Sequence, residues 1–429
     1  MKRIMIAGLS ALSASVACAA PEVSNVVMTQ NADRSVTVTY DLAGEDAIVT
    51  LGIETNGVPL AEGEVANLSG DVNKVIAVGT GKSMTWQATQ SWPNHKVDNA
   101  RARVTAWSKS APPRYLVIDL LKGKSANADN LMSAYYYTSA EAVPGGVTNM
   151  RYKTTHMILR RVDPTDDLGF VMGAHPNEFG YHSTREVQHT VHLTKPFYMG
   201  VYEFTYGYEY YLVDNAIPAG KSAAQPASGM RWYLLHGTCT DWPYDEAKDP
   251  GGNAAQTATW LKKIRTRTGF KFDLPTEAQW EYVCRAGTTG ALNDGTTNLE
   301  SSETDSHLDE LGLYKGNLGD RTGAAEVGSF KPNAWGFYDM HGNVREWVFD
   351  RIENIGAAEA TDPVNPNVGS VSSWNRVLRG GSWEDDAKNC RSGARSKHLY
   401  IDNGAQGMTD ARRPYNGFRP IIILDKEGL

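Results

Sequence analysis

Short runs of alternating or β-branched residues fill the chain from Val23 to about Ser108, and turn signals such as Asn56-Gly57 separate them. Successive side chains of a strand point to opposite faces, so this alternation places the apolar side chains on one face of each strand. Several short strands at this spacing are typical of two packed antiparallel sheets. The pattern therefore predicts an all-β sandwich over residues 20–110.

Residues 111–154 have a mixed pattern that begins with Ala111-Pro112-Pro113 and contains one predicted strand, Tyr115 to Leu121. We interpret this segment as a connector between two domains. From residue 155 to residue 429, long irregular loops alternate with short elements. The last predicted strand, Phe418 to Leu424, has the pattern of a sheet edge.

Two helices are predicted in this second domain. One covers Asn253 to Arg267 and stops at Gly269, because apolar residues recur on a single helical face. The other begins after Thr276, which serves as an N-cap and forms a capping box with Gln279, and it ends at Gly287. The apolar face of the first helix consists of Ala254, Ala258, Leu261 and Ile264.

Length and charge narrow the class of protein. A chain of 429 residues exceeds what one hydrophobic core usually serves, which agrees with two domains. The formal net charge is −7 and no run of Lys or Arg exceeds two residues, so we expect no nucleic-acid partner. Beyond the N-terminus the sequence has no apolar stretch of transmembrane length, and we predict no transmembrane segment.

The first nineteen residues have the layout of a secretory signal peptide. Lys2-Arg3 precede a short apolar stretch from Ile4 to about Leu12, and the small residues of Ala17-Cys18-Ala19 suit cleavage after Ala19. We therefore expect a secreted or periplasmic protein. The alternative is a lipoprotein attached through Cys18, which Ser15 disfavours because an aliphatic residue is usual three positions before a lipidated cysteine.

Export would expose the three cysteines that follow the predicted signal peptide, Cys239, Cys284 and Cys390, to an oxidising compartment. In an oxidising compartment, one disulfide and one leftover thiol are the simplest arrangement of three cysteines. None of them has the spacing of a zinc site, so we do not expect structural zinc.

A histidine-rich stretch offers a candidate metal site. Non-haem iron needs only two histidines and a carboxylate. If Val187 to Leu193 forms a strand, however, His189 and His192 point to opposite faces and do not bind one ion together. We interpret the four histidines as scattered side chains of the surface or core edge: His175, His182, His189 and His192.

Six segments of the second domain form a longer pattern: FYMGVYEFTYGYEY (197–210), LPTEAQWEYVCRAGT (274–288), NAWGFYDMHGNVREWVFD (333–350), RVLRGGSW (376–383), CRSGAR (390–395) and NGFRP (416–420). In this order they resemble the sulfatase-modifying-factor, or formylglycine-generating-enzyme-like, family. The resemblance implies an α+β fold of C-type-lectin-like architecture with little regular structure. The predicted sandwich, of fibronectin or immunoglobulin type, lies outside it.

The resemblance also implies a calcium site in the turn that contains Gly342. Its ligands would be side-chain oxygens of Asp339 and Glu346 and backbone oxygens of Gly342 and Val344. Calcium takes only oxygen ligands, from carboxylates and carbonyls, so these residue types suit it.

The copper site of the family enzyme is where this sequence departs from its relatives. The enzyme holds Cu(I) between two cysteines placed five residues apart after Gly-Gly-Ser, and an ungapped count from that segment puts Asp385 and Cys390 there. A hard carboxylate does not replace a soft thiolate ligand, so we do not expect copper. A count backward from Ala394-Arg395 instead places Cys390 beside the family's structural cysteine. On that basis we expect a disulfide between Cys284 and Cys390.

Two further departures affect substrate recognition. Arg345 stands where the family has tryptophan, and Tyr415 stands where it has the asparagine that helps to hold the substrate peptide. Ser382 lines the active pocket by resemblance, and with Cys390 it is the candidate for any surviving catalysis. We therefore predict a binding or accessory module for a peptide or glycan. The alternative is a formylglycine-generating-type oxidase, or another metal-dependent modifying enzyme, that uses the same pocket.

Overall fold

The structure is a computed structural model that describes residues 20–97, 99–237, 241–244, 259–365, 375–399 and 413–424. The predicted signal peptide with Cys18, the thiol of Cys239 and the first part of the predicted helix from Asn253 lie outside these residues. No helix within the described residues is long and apolar enough to cross a bilayer.

Two sheets form the N-terminal part of the chain. One has the order β1-β2-β7-β5, and the other has the order β4-β3-β6, with β8 paired to β3. The elements are β1 (Glu22–Gln30), β2 (Val36–Ala43), β3 (Ala47–Thr55), β4 (Val58–Pro59), β5 (Leu68–Gly70), β6 (Val75–Ile76), β7 (Gly79–Trp86), α1 (Ala88–Ser91) and β8 (Ala100–Trp107).

The core between these sheets follows the predicted alternation. Along β2, Val36, Val38, Tyr40 and Leu42 are buried and join the same hydrophobic cluster, while the residues between them are less buried. Alternate positions of a strand share one face, so a period of two is sufficient to build this core. The two-sheet arrangement agrees with the predicted sandwich, and its assignment to the fibronectin or immunoglobulin type stays a prediction.

A six-stranded sheet, in the order β10-β9-β11-β14-β21-β15, forms the centre of the C-terminal part. Smaller sheets have the orders β19-β18-β16-β20 and β12-β13-β17. The strands are β9 (Tyr115–Asp119), β10 (Ser133–Tyr137), β11 (His156–Val162), β12 (Phe170–Met172), β13 (His189–His192), β14 (Phe197–Gly200), β15 (Phe272–Asp273), β16 (Arg345–Arg351), β17 (Ala360–Thr361), β18 (Asn375–Arg379), β19 (Ser396–Leu399), β20 (Asn416–Phe418) and β21 (Ile421–Ile423).

Six short helices accompany these sheets within the described residues. They are α2 (Arg151–Thr154), α3 (Tyr206–Val213), α4 (Trp232–His236), α5 (Trp260–Thr268), α6 (Glu277–Arg285) and α7 (Leu308–Leu311). With the mixed sheets, they give the α+β formylglycine-generating-enzyme-like fold that the resemblance implies.

The helix α6 confirms its predicted start. The side chain of Thr276 accepts a hydrogen bond from the backbone of Gln279, whose side chain accepts one from Thr276. The predicted end is one residue late, because Ala286, at φ 46°, takes the left-handed cap ahead of Gly287. The described part of the other predicted helix is α5, which Gly269 ends as expected.

Two parts of the chain differ from their predicted roles. The segment 111–154 contributes β9 and β10 to the six-stranded sheet, so it belongs to the second domain's framework instead of only connecting it. The predicted last strand is divided into β20 and β21 at Arg419-Pro420. The strand β21 lies between β14 and β15, so the prediction of an edge is wrong; Ile421 and Ile422 are fully buried there.

Candidate functional site

The start of β16 and the start of β20 place two polar side chains next to each other. Arg345 pairs with Asn416 in the parallel register of these strands, and paired residues of a parallel ladder project from the same face of the sheet. The loop that follows β18 passes through Gly380-Gly381 and brings Ser382 and Asp385 next to Arg345. Gly381 has a φ of 73°, and a Cβ there would lie 2.5 Å from the Sγ of Cys390. Glycine is therefore required at position 381, where the loop that leads to Ser382 passes against Cys390.

A buried ion pair connects these elements. The Nε of Arg345 donates to Oδ2 of Asp385 over 2.8 Å, and its Nη2 donates to the other carboxylate oxygen. The Oγ of Ser382 donates to the same Oδ2 over 2.6 Å. Burial lowers the pKa of Arg345, but the hydrogen bond and charge of Asp385 outweigh it and raise the pKa overall. Arg345 is therefore a permanent cation in this pocket.

Aromatic rings close the site on the other side of the guanidinium. Arg345 lies over the ring of Tyr415, 4.8 Å from its centroid, and Trp383 meets Tyr415 edge to face at 6.2 Å. Arg345, Asp385 and Tyr415, at which the resemblance implies departures from the family pattern, are thus members of one contact cluster.

Two polar groups near this cluster have no hydrogen-bond partner. They are Nε1 of Trp383 and the side-chain amide of Asn416, whose exposed fraction is 0%. Buried polar atoms without partners carry a desolvation cost of about 1–3 kcal/mol. These atoms are therefore unsatisfied polar groups beside the ion pair of Arg345 and Asp385.

The predicted disulfide between Cys284 and Cys390 is absent from the structure, in which both residues are buried free thiols. The Sγ of Cys284 lies 3.8 Å from the Oγ of Ser392 and 3.8 Å from the carbonyl oxygen of Met340. Ser392 therefore takes the place beside Cys284 at which the resemblance puts the family's structural cysteine. Burial raises the pKa of Cys284 to about 12, so the thiol stays protonated at neutral pH.

Cys390 lies instead against Gly381, in the loop that carries Ser382 and Asp385. Burial raises the pKa of Cys390, and the nearby charge of Asp385 raises it further. Asp385 and Cys390 are thus close enough to interact electrostatically. Their correspondence to the two copper cysteines of the family enzyme stays a prediction.

In the turn where calcium is predicted, the carboxyl groups of Asp339 and Glu346 accept hydrogen bonds from other parts of the protein. Asp339, at φ 57°, accepts a hydrogen bond from the backbone of Gly328 through Oδ2 over 2.6 Å. Glu346 accepts from the Nη2 of Arg419 over 2.8 Å and from the indole nitrogen of Trp280 over 2.7 Å. The carboxylate of Glu346 is therefore committed to these donors.

These contacts fit the calcium prediction only in part. The Oδ1 of Asp339 is buried without a hydrogen-bond partner, as suits a cation ligand. Burial raises the pKa of Asp339 to about 6. Glu346 does not fit, because it would have to give up its pair with Arg419. Calcium binding at this turn stays a prediction.

The sequence analysis missed Glu203. Its carboxylate accepts from the side chain of Asn343 over 2.6 Å and from the backbone of Val344 over 3.0 Å, and it is fully buried. Burial, followed by the charges of Asp339 and Glu346, raises the pKa of Glu203 well above its usual value. An acid flanked by Tyr202 and Phe204 in the aromatic-rich segment 197–210 was the available signal, because such an acid is buried only with partners.

The histidines lie as predicted. The strand β13 contains His189 and His192; His192 contacts Glu359 through Nε2 at 2.7 Å, whereas His189 contacts the carbonyl oxygen of Val187 at 3.0 Å. In the part of the chain that the structure describes, no group of three or more His, Cys, Asp or Glu side chains is arranged to hold a metal.

Comparison with known proteins agrees with this fold. A model of the family described as the sulfatase-modifying factor enzyme 1-like domain matches residues 143–419, more than half of the chain. The formylglycine-generating enzyme of Mus musculus is 35% identical over 188 residues, which are 41% of this chain and 49% of that protein. The inactive C-alpha-formylglycine-generating enzyme 2 of Mus musculus is 31% identical over 122 residues, 27% of this chain and 32% of that protein.

A similar solved structure is that of PvdO from Pseudomonas aeruginosa, with 23% identity and a TM-score of 0.47, covering 62% of this chain and 94% of that chain. The present chain spans about half the length of the mouse formylglycine-generating enzyme that it matches, 49%. The family match includes the pocket formed by Arg345, Ser382 and Asp385. This chain belongs to the sulfatase-modifying factor enzyme 1-like domain family.

Proposed function

We propose that this domain is a binding or accessory module without the copper-dependent oxidase activity of the family enzyme. The observation that carries the proposal is the buried ion pair between Arg345 and Asp385, which stands where the enzyme needs a thiolate ligand. Soft thiolates match Cu(I), and a carboxylate does not. A fixed guanidinium, hydrogen-bonded to that carboxylate, adds repulsion for any cation in the same place.

The remaining thiol supports the same proposal. Cys390 is the one cysteine after Ser382, and its raised pKa keeps it protonated. Only a thiolate binds a metal well, so the pocket provides neither the number nor the state of the sulfur ligands.

The pocket is suited to a peptide or glycan ligand. Trp383 and Tyr415 provide aromatic surface, and Nε1 of Trp383 and the amide of Asn416 provide unpaired polar atoms. Ligand sites commonly combine such apolar walls with a few polar groups that fix orientation. The pattern of the first nineteen residues further supports export, so we propose that the module acts outside the cytoplasm.

We expect no conversion of cysteine to formylglycine in a Cys-x-Pro-x-Arg peptide, even with copper and a thiol reductant present. Mass spectrometry of the peptide detects the change from cysteine to aldehyde, and a formylglycine-generating enzyme run in parallel serves as the positive control. Aldehyde above the level of an enzyme-free sample would show that the pocket has another route to the reaction.

We also propose that calcium binds at the turn through Asp339 and backbone oxygens, without Glu346. Calcium should then raise the melting temperature of the protein, because a ligand that binds only the folded state stabilises it by about 2.7 kcal/mol at a hundred times its dissociation constant. Scanning fluorimetry with and without calcium should show the shift in the natural protein and not in Asp339→Asn. An equal shift in both proteins would place the ion elsewhere.

A further inference from the structure

A small pocket lies between the start of β9 and the end of β11. Its volume is about 170 Å³, and its lining includes Arg114, Arg160, Arg161, Asp163, Tyr282 and Trp335. It shares no residue with the site around Arg345. A pocket of this volume can accommodate a small ligand.

The lining is strongly cationic, with three arginines and one carboxylate. Asp163 is 49% exposed and lies 2.9 Å from the Nε of Arg161 and 3.5 Å from the Nη2 of Arg114. Ion pairs as exposed as these contribute little, and a single carboxylate offsets at most one of the three guanidinium charges. A net positive charge therefore faces the pocket.

Arg160 is the least compensated of these cations. Among the described residues no carboxylate lies within ion-pair distance of it, and its buried Nε has no hydrogen-bond partner. Its contacts are the ring of Phe337, 5.7 Å away, and the hydroxyl of Tyr115. Burial lowers the pKa of Arg160, which indicates that the surroundings do not offset its desolvation.

The lining of the pocket also includes two aromatic rings. The rings of Tyr282 and Trp335 meet nearly edge to face, with centroids 4.9 Å apart and an angle of 77°. Both residues are partly exposed. Arginines and aromatic rings that line one small pocket suit a ligand with an anionic group attached to a ring.

We infer that this pocket binds an oxyanion of the phosphate or sulfate type, carried on a ring. The planar guanidinium donates two parallel hydrogen bonds to such oxygens, and Arg160 brings the least compensated of the three guanidinium groups to the pocket. The aromatic pair would pack against the ring. The inference does not depend on the function proposed for the site around Arg345.

Isothermal titration calorimetry of the full chain tests the inference with three probes: inorganic phosphate, inorganic sulfate and phenyl phosphate. We expect all three to bind, and phenyl phosphate to bind more tightly because only it reaches the aromatic pair. Arg160→Met should weaken all three by about tenfold or more, whereas Trp335→Ala should reduce phenyl phosphate to the affinity of inorganic phosphate. The difference between phosphate and sulfate shows which oxyanion the pocket prefers.

Two controls separate binding from folding. Arg103→Met removes a surface ion pair of the sandwich and should leave all three affinities unchanged. In anion-free buffer, Arg160→Met should melt at the same temperature as the natural protein or higher, because it removes an uncompensated charge. Affinities that Arg160→Met does not change, or dissociation constants above about 10 mM for every probe, would overturn the inference.

Discussion

Replacing Arg419 with methionine should cost about 3–5 kcal/mol of folding free energy, since the change leaves a buried carboxylate uncompensated. Arg419 and Glu346 have exposed fractions of 0% and 1%, and their closest atoms are 2.8 Å apart. The same guanidinium donates to the carbonyl oxygens of Gly200 over 3.0 Å and Tyr338 over 2.7 Å. Those oxygens would lose their donor as well.

The neighbouring acids increase this effect. Glu203 and Asp339 are also buried, and the charge of each contributes to the raised pKa of Arg419, after the larger opposing effect of burial. The guanidinium of Arg419 thus interacts electrostatically with three buried carboxyl groups of the family domain, those of Glu203, Asp339 and Glu346. Without it, they would repel one another in a region of low dielectric constant.

Urea unfolding of Arg419→Met, followed by tryptophan fluorescence, measures the loss. The double variant Arg419→Met with Glu346→Gln should recover part of it, because the uncompensated charge is removed. Arg103→Met, which breaks an exposed ion pair of 3.0 Å with Glu54, should cost less than about 1 kcal/mol. Equal losses for Arg419→Met and Arg103→Met would show that the buried pair is not a main support of the fold.

Local patterns predicted the local structure well. The alternation along β2 and the capping box at Thr276 depend on residues within a few positions of each other, so propensity and spacing are sufficient to identify them. The position of β21 depends on strands far apart in the chain. Three consecutive isoleucines that end near the C-terminus resemble an edge strand as much as a central one.

The candidate site was predicted residue by residue but not as a unit. Arg345, Asp385 and Tyr415 are 40 and 30 residues apart in succession, and no periodicity indicates that such residues meet. The structure shows that an arginine at one position compensates the carboxylate at another. The disulfide prediction failed for the same reason: a shift of two positions decides whether Cys390 or Ser392 lies beside Cys284.

We expect the natural protein not to retain Cu(I), and a variant with Arg345→Trp and Asp385→Cys to bind it. Asp385→Cys supplies a second sulfur at the spacing of the family enzyme, and Arg345→Trp removes the cation that lies within hydrogen-bond distance of that position. Two thiolates suit Cu(I), and the removal of the carboxylate charge lowers the pKa of Cys390, since Asp385 raises it. The single change Asp385→Cys should bind Cu(I) less well, because the positive charge of Arg345 remains beside the new thiol.

The decisive measurement is whether each reduced protein holds Cu(I) against the competitor bicinchoninate in the absence of oxygen. A denatured sample with blocked thiols measures nonspecific binding. We expect no stoichiometric Cu(I) on the natural protein and about one ion per chain on the double variant. One Cu(I) per chain held by the natural protein against the competitor would contradict the claim that the pair of Arg345 and Asp385 has replaced the copper site.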